Sequence, residues 1–322
     1  MLQKLKTHFI PQNVAPEDAK RISLYHPNGH KLCTIPIGKL AQQKKEKLYS
    51  FGLMSDIHLW ADSPSWQSND KFDKAMEIFQ DLYQCSFAVH CGDLTQIGFY
   101  TETYKEGDQA DVSTFSKYQE ICQKYRIPVY GLCGNHESYN RPMRDTLDLL
   151  FKYVTQTGEA TGQAKLCYAI AKDSDLFIFC GHPTGGQMME DSDLVWLENT
   201  LLENQDKRCF VFVHSFLPND SGNALNAQPN FISASWSGTA QFMSILAQYP
   251  NVILFHGHSH LKPECQSLDK KANYTEINGF KSVHVPSVGR PRYIGSITNE
   301  TVFDDSLSQM IVGDVDDDFI VL

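Results

Sequence analysis

The chain is 322 residues long, carries 28 Lys+Arg against 38 Asp+Glu for a formal net charge of −10, and is 42% hydrophobic. These values exclude a disordered or collagen-like chain, and the acidic balance argues against a nucleic-acid partner, which needs a basic stripe. No apolar run approaches the roughly 18 residues of a membrane helix, so no membrane partner is expected.

The amino terminus, Met1–Pro16, has Lys4 and Lys6 but no apolar stretch, which argues against a signal peptide. Nine cysteines are scattered without a CxxC pair, several inside apolar runs. They read as reduced thiols, and the expected location is cytoplasmic. Arg21–His26 and Lys31–Pro36 are extended segments around Pro27-Asn28-Gly29-His30, and Asn-Gly between such segments predicts a hairpin. Gly38–Lys47 is polar and Lys-rich, a solvated linker. Residues 1–47 are therefore read as a hairpin extension and linker, with an attachment module as the alternative, and residues 48–322 as the main domain.

From Leu48 short apolar runs recur at Tyr49–Met54, Phe87–His90, Val129–Cys133, Leu176–Cys180, Phe210–Val213, Val252–Phe255 and Val283–Val285. Between them lie stripes at helical spacing. These are Phe72/Met76/Phe79/Tyr83, Val112/Phe115/Tyr118/Cys122/Tyr125, Leu147/Leu150/Phe151/Val154, Leu194/Leu197/Leu201 and Phe242/Ile245/Leu246/Tyr249. Buried strands alternating with amphipathic helices predict an α/β domain with a largely buried sheet. Past Pro286 the pattern loosens. Gly289–Glu300 reads as a loop, and Met310–Val312 and Phe319–Leu322 as strands around the acidic turn Asp314–Asp318. The apolar end at Leu322 carries the expectation that the natural chain continues.

The carboxyl ends of the apolar runs carry the chemistry. Tyr49–Met54 leads into Asp56-Ile57-His58, Phe87–His90 into Gly92-Asp93, and Val129–Cys133 into Gly134-Asn135-His136-Glu137. Phe210–Val213 ends at His214, and Val252–Phe255 leads into Gly257-His258-Ser259-His260. Ligands of open α/β sheets bind at such ends. In an extended segment residues i and i+2 share a side, so Asp56/His58 and His258/His260 are each expected to aim two ligands at one place. Glycine before Asp93, Asn135 and His258 permits close approach of the backbone. Oxygen plus imidazole donors suit Mn, Fe, Zn or Co.

In that order the motifs resemble the calcineurin-like metallophosphoesterase superfamily, and Met54–Leu59 with the Trp196-Leu197 helix is similar to its bacterial cyclic-nucleotide phosphodiesterase-like branch. The resemblance implies two facing mixed β-sheets flanked by helices, with a dimetal site at the strand ends. It implies two divalent metal ions, one on Asp56, His58 and His260 and the other on Asn135, His214 and His258, with Asp93 bridging. It further implies attack on phosphorus by a hydroxide bridging the metals, with His136 assisting the leaving group. Glu137 is read as an acceptor that orients a ligand His. One departure stands out: the family's second motif usually ends in Asp, and here Gln96 takes that place.

Arg141 and His182 are further candidates near the substrate, as is Asn223 in the long loop after His214. His90, His256 and His284 are read as core or supporting groups. The expected function is hydrolysis of phosphomonoesters or phosphodiesters of small molecules, including nucleotides. A catalytically weak scaffold and a nuclease are the alternatives, and the substrate and oligomeric state are left open by the sequence.

Overall fold

The structure, a computed structural model, describes residues 21–25, 31–36, 47–60, 67–96, 109–138, 166–181, 188–217, 237–262, 274–294, 301–315 and 320–321. Strands β1 (Arg21–Tyr25) and β2 (Lys31–Pro36) form an antiparallel pair of their own, with Ile22 opposite Ile35. The expected Asn28-Gly29 turn between them lies outside the described residues, as do the Leu147–Val154 stripe and the candidates Arg141, His182 and Asn223.

Two mixed sheets build the rest. The first has the order β15-β14-β3-β4-β5, from β3 (Tyr49–Met54), β4 (Phe87–His90), β5 (Val129–Gly131), β14 (Ile311–Val315) and β15 (Ile320–Val321). β3, β4 and β5 run parallel, and β14 is antiparallel to β3. The second has the order β10-β11-β9-β8-β7-β6. Its parallel centre is β7 (Asp175–Cys180), β8 (Arg208–Val213), β9 (Val252–His256) and β11 (Phe280–His284). β6 (Cys167–Lys172) and β10 (Tyr274–Ile277) close its edges in antiparallel sense.

Alternation along the strands sorts the apolar residues into layers. Phe51, Leu53, Phe87 and Val89 of the first sheet meet Phe177, Phe179, Phe210, Phe212 and Phe255 of the second in an aromatic core between the sheets. The opposite face of the first sheet, with Met54 and Ala88, packs on Phe72, Met76 and Phe79 and on Phe115 and Tyr118. Those belong to helix α1 (Ser68–Glu77), its π-turn Ile78–Leu82, and helix α2 (Gln109–Gln123). The outer face of the second sheet, with Ile178, Val211 and Leu254, packs on α4 (Asp191–Glu203) and α5 (Thr239–Ala247) through Leu194, Leu197, Leu201, Phe242 and Leu246. Between β5 and β6 the short helix α3 (Asn135–Ser138) follows directly on Gly134.

A polar tie joins the sheets at the end opposite the motifs. The Tyr49 hydroxyl donates to Asp175 Oδ2 at 2.5 Å, and Arg208 donates through Nε and Nη2 to the same carboxylate at 2.8 Å each.

The expected strands and four of the five helical stripes correspond to observed elements, and the differences have physical causes. β6, outside the expected strands, is an edge strand whose run Cys167–Ala171 is short, weakly apolar in its two alanines and only partly buried beyond Tyr168. The segment read as a loop after Gly289 contains β12 (Arg292–Ile294), which pairs antiparallel with β13 (Thr301–Phe303). Three residues are too few to show a period, so pairing alone creates the strand. Among the described residues seven cysteines are free thiols, and no helix is long and apolar enough to cross a membrane.

Phe177 lies at the centre of the inter-sheet core, with ring centroids 5.0 Å from Phe87, 5.4 Å from Phe51 and 4.7 Å from Phe210. Phe177→Ala is expected to cost about 3–5 kcal/mol of stability, read as a lower urea midpoint. A loss below ~1 kcal/mol would contradict that central packing role.

Candidate metal centre

The loops after β3, β4, β5, β8 and β9 bring all seven expected ligands into one pocket. Asp56, His58, Asp93, His214, His258 and His260 are buried, and Asn135 is partly so. The loops hold one another through the backbone. Asp56 N–H donates to Gly92 O at 3.1 Å, His58 N–H to Asp93 O at 3.1 Å, and Gly257 N–H to His214 O at 2.9 Å. The two sheets meet where His258 N–H donates to Asp56 Oδ2 at 2.9 Å.

The local conformation differs from the expected extended one. Asp56 and His58 have φ of 50° and 54°, Asp93 51°, and His258 and His260 72° and 59°. Left-handed backbone is costly for residues with a Cβ, so each motif converges by curling the chain. Among the described residues, five of the nine non-glycine residues with positive φ are expected ligands, and strain of this kind gathers where function demands it. Glycine earns its place by close approach. A Cβ on Gly257 would stand 1.7 Å from Ser55 Oγ, and one on Gly134 would stand 2.3 Å from Asp93 N.

The expected ligand atoms of the two sheets face one another. His214 Nδ1 lies 2.7 Å from the Cys91 carbonyl, which only accepts, so Nδ1 carries the proton. Its Nε2 faces Asp93 Oδ2 at 3.1 Å, Asn135 Oδ1 at 2.9 Å and His258 Nδ1 at 2.9 Å, and is the nitrogen that a cation would take in exchange for a proton. His260 repeats the device. Its Nδ1 donates to the Arg290 carbonyl at 2.8 Å, and its Nε2 faces Asp56 Oδ1 at 3.2 Å and His58 Nε2 at 3.0 Å.

Donor atoms of Asp56, Asp93, His214 and His258 all lie within 4.8 Å of one another, as do those of Asp56, His58 and His260. The electrostatics agree. Burial opposes charge on Asp93, yet His214 and His136 hold its carboxyl well below the usual range. Burial likewise disfavours a charged His214, but Asp93 and Asp56 outweigh it and push the imidazole up to about 9. A positive charge is thus favoured at this point, and the residues fit two divalent cations of the kind that accept mixed oxygen and imidazole donors.

His136 sits at the rim. Its backbone N–H donates to Asp93 Oδ1 at 2.9 Å, and its Nε2 lies 3.7 Å from Asp93 Oδ2. Burial lowers its pKa from the ordinary value, so the ring is neutral near pH 7 before substrate arrives. Gln96 lies in the Asp93 turn, its N–H bonded to Leu59 O at 3.1 Å.

Glu137, expected to orient a ligand imidazole, is bonded to the backbone of the Asp93 and Gly134 turns. It accepts from the N–H groups of Asp93 at 3.1 Å, Thr95 at 2.8 Å and Gly134 at 2.8 Å, and from Thr95 Oγ1 at 3.2 Å. It braces the backbone that carries Asp93. Burial and the Asp93 charge push its pKa up to about 7, against those amide donors. The Cys91 and Arg290 carbonyls, which fix the two tautomers, were missed, because a backbone acceptor leaves no mark on the side-chain sequence.

The calcineurin-like phosphoesterase family profile matches residues 49–262, which spans the whole cluster. The chain belongs to that family. It is a phosphoester hydrolase. A manganese-dependent ADP-ribose/CDP-alcohol diphosphatase of Oryza sativa subsp. japonica is 24% identical to this chain over 274 residues, covering 69% of this chain and 81% of the rice protein. The solved purple acid phosphatase PPD1 from yellow lupin seeds superposes with a TM-score of 0.55 at 14% identity, over 88% of this chain. This chain spans only 52% of the lupin protein, and the likeness is one of fold.

Replacing Glu137 by Gln puts a donor NH₂ where a carboxylate accepts backbone N–H groups, and so loosens Asp93. Mn²⁺ affinity measured by calorimetry is expected to fall about 10–100-fold. An unchanged affinity would show that Asp93 does not depend on this brace.

Proposed function

We propose that this hydrolase uses two divalent cations to cleave a small phosphate-containing substrate, and that the scissile bond lies in a diphosphate linkage. The observation that carries the metal dependence is the pair of oriented rings, His214 and His260, whose Nε2 atoms converge on Asp93 and Asp56. The support for the substrate class is the rice relative, whose activity is on ADP-ribose and CDP-alcohols. That activity favours a diphosphate over the simple monoester or cyclic diester to which the motifs alone also point.

Asp56, His58 and His260 would hold one cation, and Asn135, His214 and His258 the other, with Asp93 shared. Bound there, the metals would supply Lewis acidity toward the phosphoryl oxygens and an activated water. The protein's own groups do the rest. The buried carboxylates concentrate negative charge, which binds cations and leaves the pocket ready for an anion only once the cations are present. His136, at the open rim beside Asp93, is placed to hand a proton to the departing oxygen. A neutral imidazole must first take up that proton, and an approaching phosphate favours this by raising its pKa. By the family resemblance Gln96 stands where an Asp usually orients the catalytic His, and an amide there would stabilise an imidazolium at His136 less than a carboxylate, so the leaving group is expected to be one that needs little proton assistance. A phosphate leaving group in a diphosphate meets that condition better than an alkoxide does.

Steady-state hydrolysis of ADP-ribose and a CDP-alcohol, beside a nitrophenyl monoester and a bis-nitrophenyl diester, tests the reading in Mn²⁺. The diphosphates are expected to show the highest kcat/KM. Chelation should abolish turnover, and Asp93→Asn should lower it by at least about a thousandfold, as expected when a shared metal ligand is lost. Full activity after thorough chelation would sink the metal dependence, and faster turnover of the monoester than of either diphosphate would sink the substrate class.

A further inference from the structure

The edge of the pocket beside His260 carries a second set of charges. Arg292 on β12 and Phe303 on β13 are direct cross-strand partners. The guanidinium carbons of Arg290 and Arg292 stand 3.9 and 4.1 Å from the centroid of the Phe303 ring. Both guanidinium groups thus stand over the Phe303 ring, in cation–π contact with it. The ring also meets His260, with centroids 5.8 Å apart at 74°. The backbone fixes the same neighbourhood, because Arg292 N–H donates to the His260 carbonyl at 2.7 Å and Lys262 N–H to the Arg292 carbonyl at 2.8 Å. Arg292 is thereby held one ring's width from an expected metal ligand.

The cations at this edge are unequally compensated. Arg290 pairs with Asp305 at 2.9 Å and Lys262 with Asp304 at 2.8 Å. Lys71 Nζ donates to the carbonyls of Gly289 and Asp305 at 2.7 and 2.9 Å. Arg292 has no carboxylate within 4.0 Å among the described residues, and its buried Nε has no hydrogen-bond partner among them. A half-desolvated guanidinium with an unused donor is costly unless a ligand supplies the acceptor. Its planar fork suits two phosphate oxygens. Burial lowers its pKa to about 10 while Asp56 opposes the shift, so it remains charged at neutral pH.

We propose that Arg292, braced on Phe303, binds the non-reacting phosphate of the substrate and makes the site selective for two linked phosphates over one. His260 touches both the Asp56 carboxylate through Nε2 and the Phe303 ring, and so links the Asp56–Asp93 cluster to the Arg292–Phe303 pair. The phosphate next to it in a diphosphate is the group that can extend past His260 toward the guanidinium. This deepens the diphosphate reading given above and rests on it for the choice of substrate, while the contact itself is a property of Arg292.

The test compares ADP with AMP as calorimetric ligands of the Mn²⁺-loaded protein at fixed free Mn²⁺, for the wild type, Arg292→Ala and Arg292→Lys. The two nucleotides share base and ribose and differ by one phosphate. The wild type is expected to prefer ADP about 10–100-fold, the worth of one charge-assisted, bidentate contact. Arg292→Ala should reduce that ratio to within about threefold of unity, and Arg292→Lys, which keeps the charge and loses the fork, should fall between. AMP binding by the variants reports that the metal site is still assembled. If Arg292→Ala does not fold, the ratio in Arg292→Lys decides.

A wild-type ratio near unity, or a ratio that survives both substitutions, overturns the proposal. Hydrolysis of ADP-ribose by a protein with such a surviving ratio would leave the diphosphate reading standing and remove Arg292 from it. A ratio that collapses in Arg292→Ala, in a protein that does not cleave ADP-ribose, would support the contact and overturn the diphosphate reading.

Discussion

Two carboxylates buried among four imidazoles are costly unless positive charge lies among them. That constraint governs this structure. Asp56 and Asp93 are buried where an uncompensated carboxylate would be strongly penalised. Burial by itself would neutralise them by protonation. The histidine rings instead hold both in the ionised form, and the carboxylates in return favour charge on His214. The pocket is therefore an assembly of electron-pair donors awaiting cations, and its folding free energy and its metal affinity are linked quantities.

The surrounding architecture makes that assembly possible. Parallel strands from both sheets end on the same side, and the aromatic layer between the sheets fixes their separation. The loops after β3, β4 and β9 then turn through left-handed backbone at their ligand residues. Such conformations cost of order 1–3 kcal/mol each, and the interlocking amide–carbonyl bonds among the Asp56, Asp93, His214 and His258 loops hold them in place. Glu137 completes the frame by binding three backbone N–H groups with one carboxylate. The geometry of the donor set is thus over-determined before any ligand arrives, which is the condition for precise electrostatic catalysis.

Much of the architecture could be read from the chain. Tyr49–Met54, Phe87–His90 and Val252–His256 are apolar because both of their faces are covered, and buried runs of that kind announce parallel strands. The helical stripes at Phe72/Met76/Phe79 and Leu194/Leu197/Leu201 face the sheets for the same reason. What escaped the reading was short or marginal. β6 is a partly buried edge strand, and β12 with β13 consists of three-residue strands whose existence depends on each other. Arg292 lay within a segment that read as loop, so nothing in the sequence joined it to His260.

The order of candidate metal-binding side chains was legible in the chain, because Asp, Asn and His after successive strands are side-chain facts and survive any detail of backbone path. Only the tertiary structure decided how those atoms are presented. The tautomers of His214 and His260 are set by the carbonyls of Cys91 and Arg290, and every residue has a carbonyl, so no residue type could have marked those two. The brace by Glu137 ends on backbone N–H groups and was equally silent. The contact of Arg290 and Arg292 with Phe303 depends on strand pairing that short-range pattern cannot encode. Chemical identity is local to a residue, whereas lone-pair direction, protonation and reach are properties of neighbours that the folded chain alone brings together.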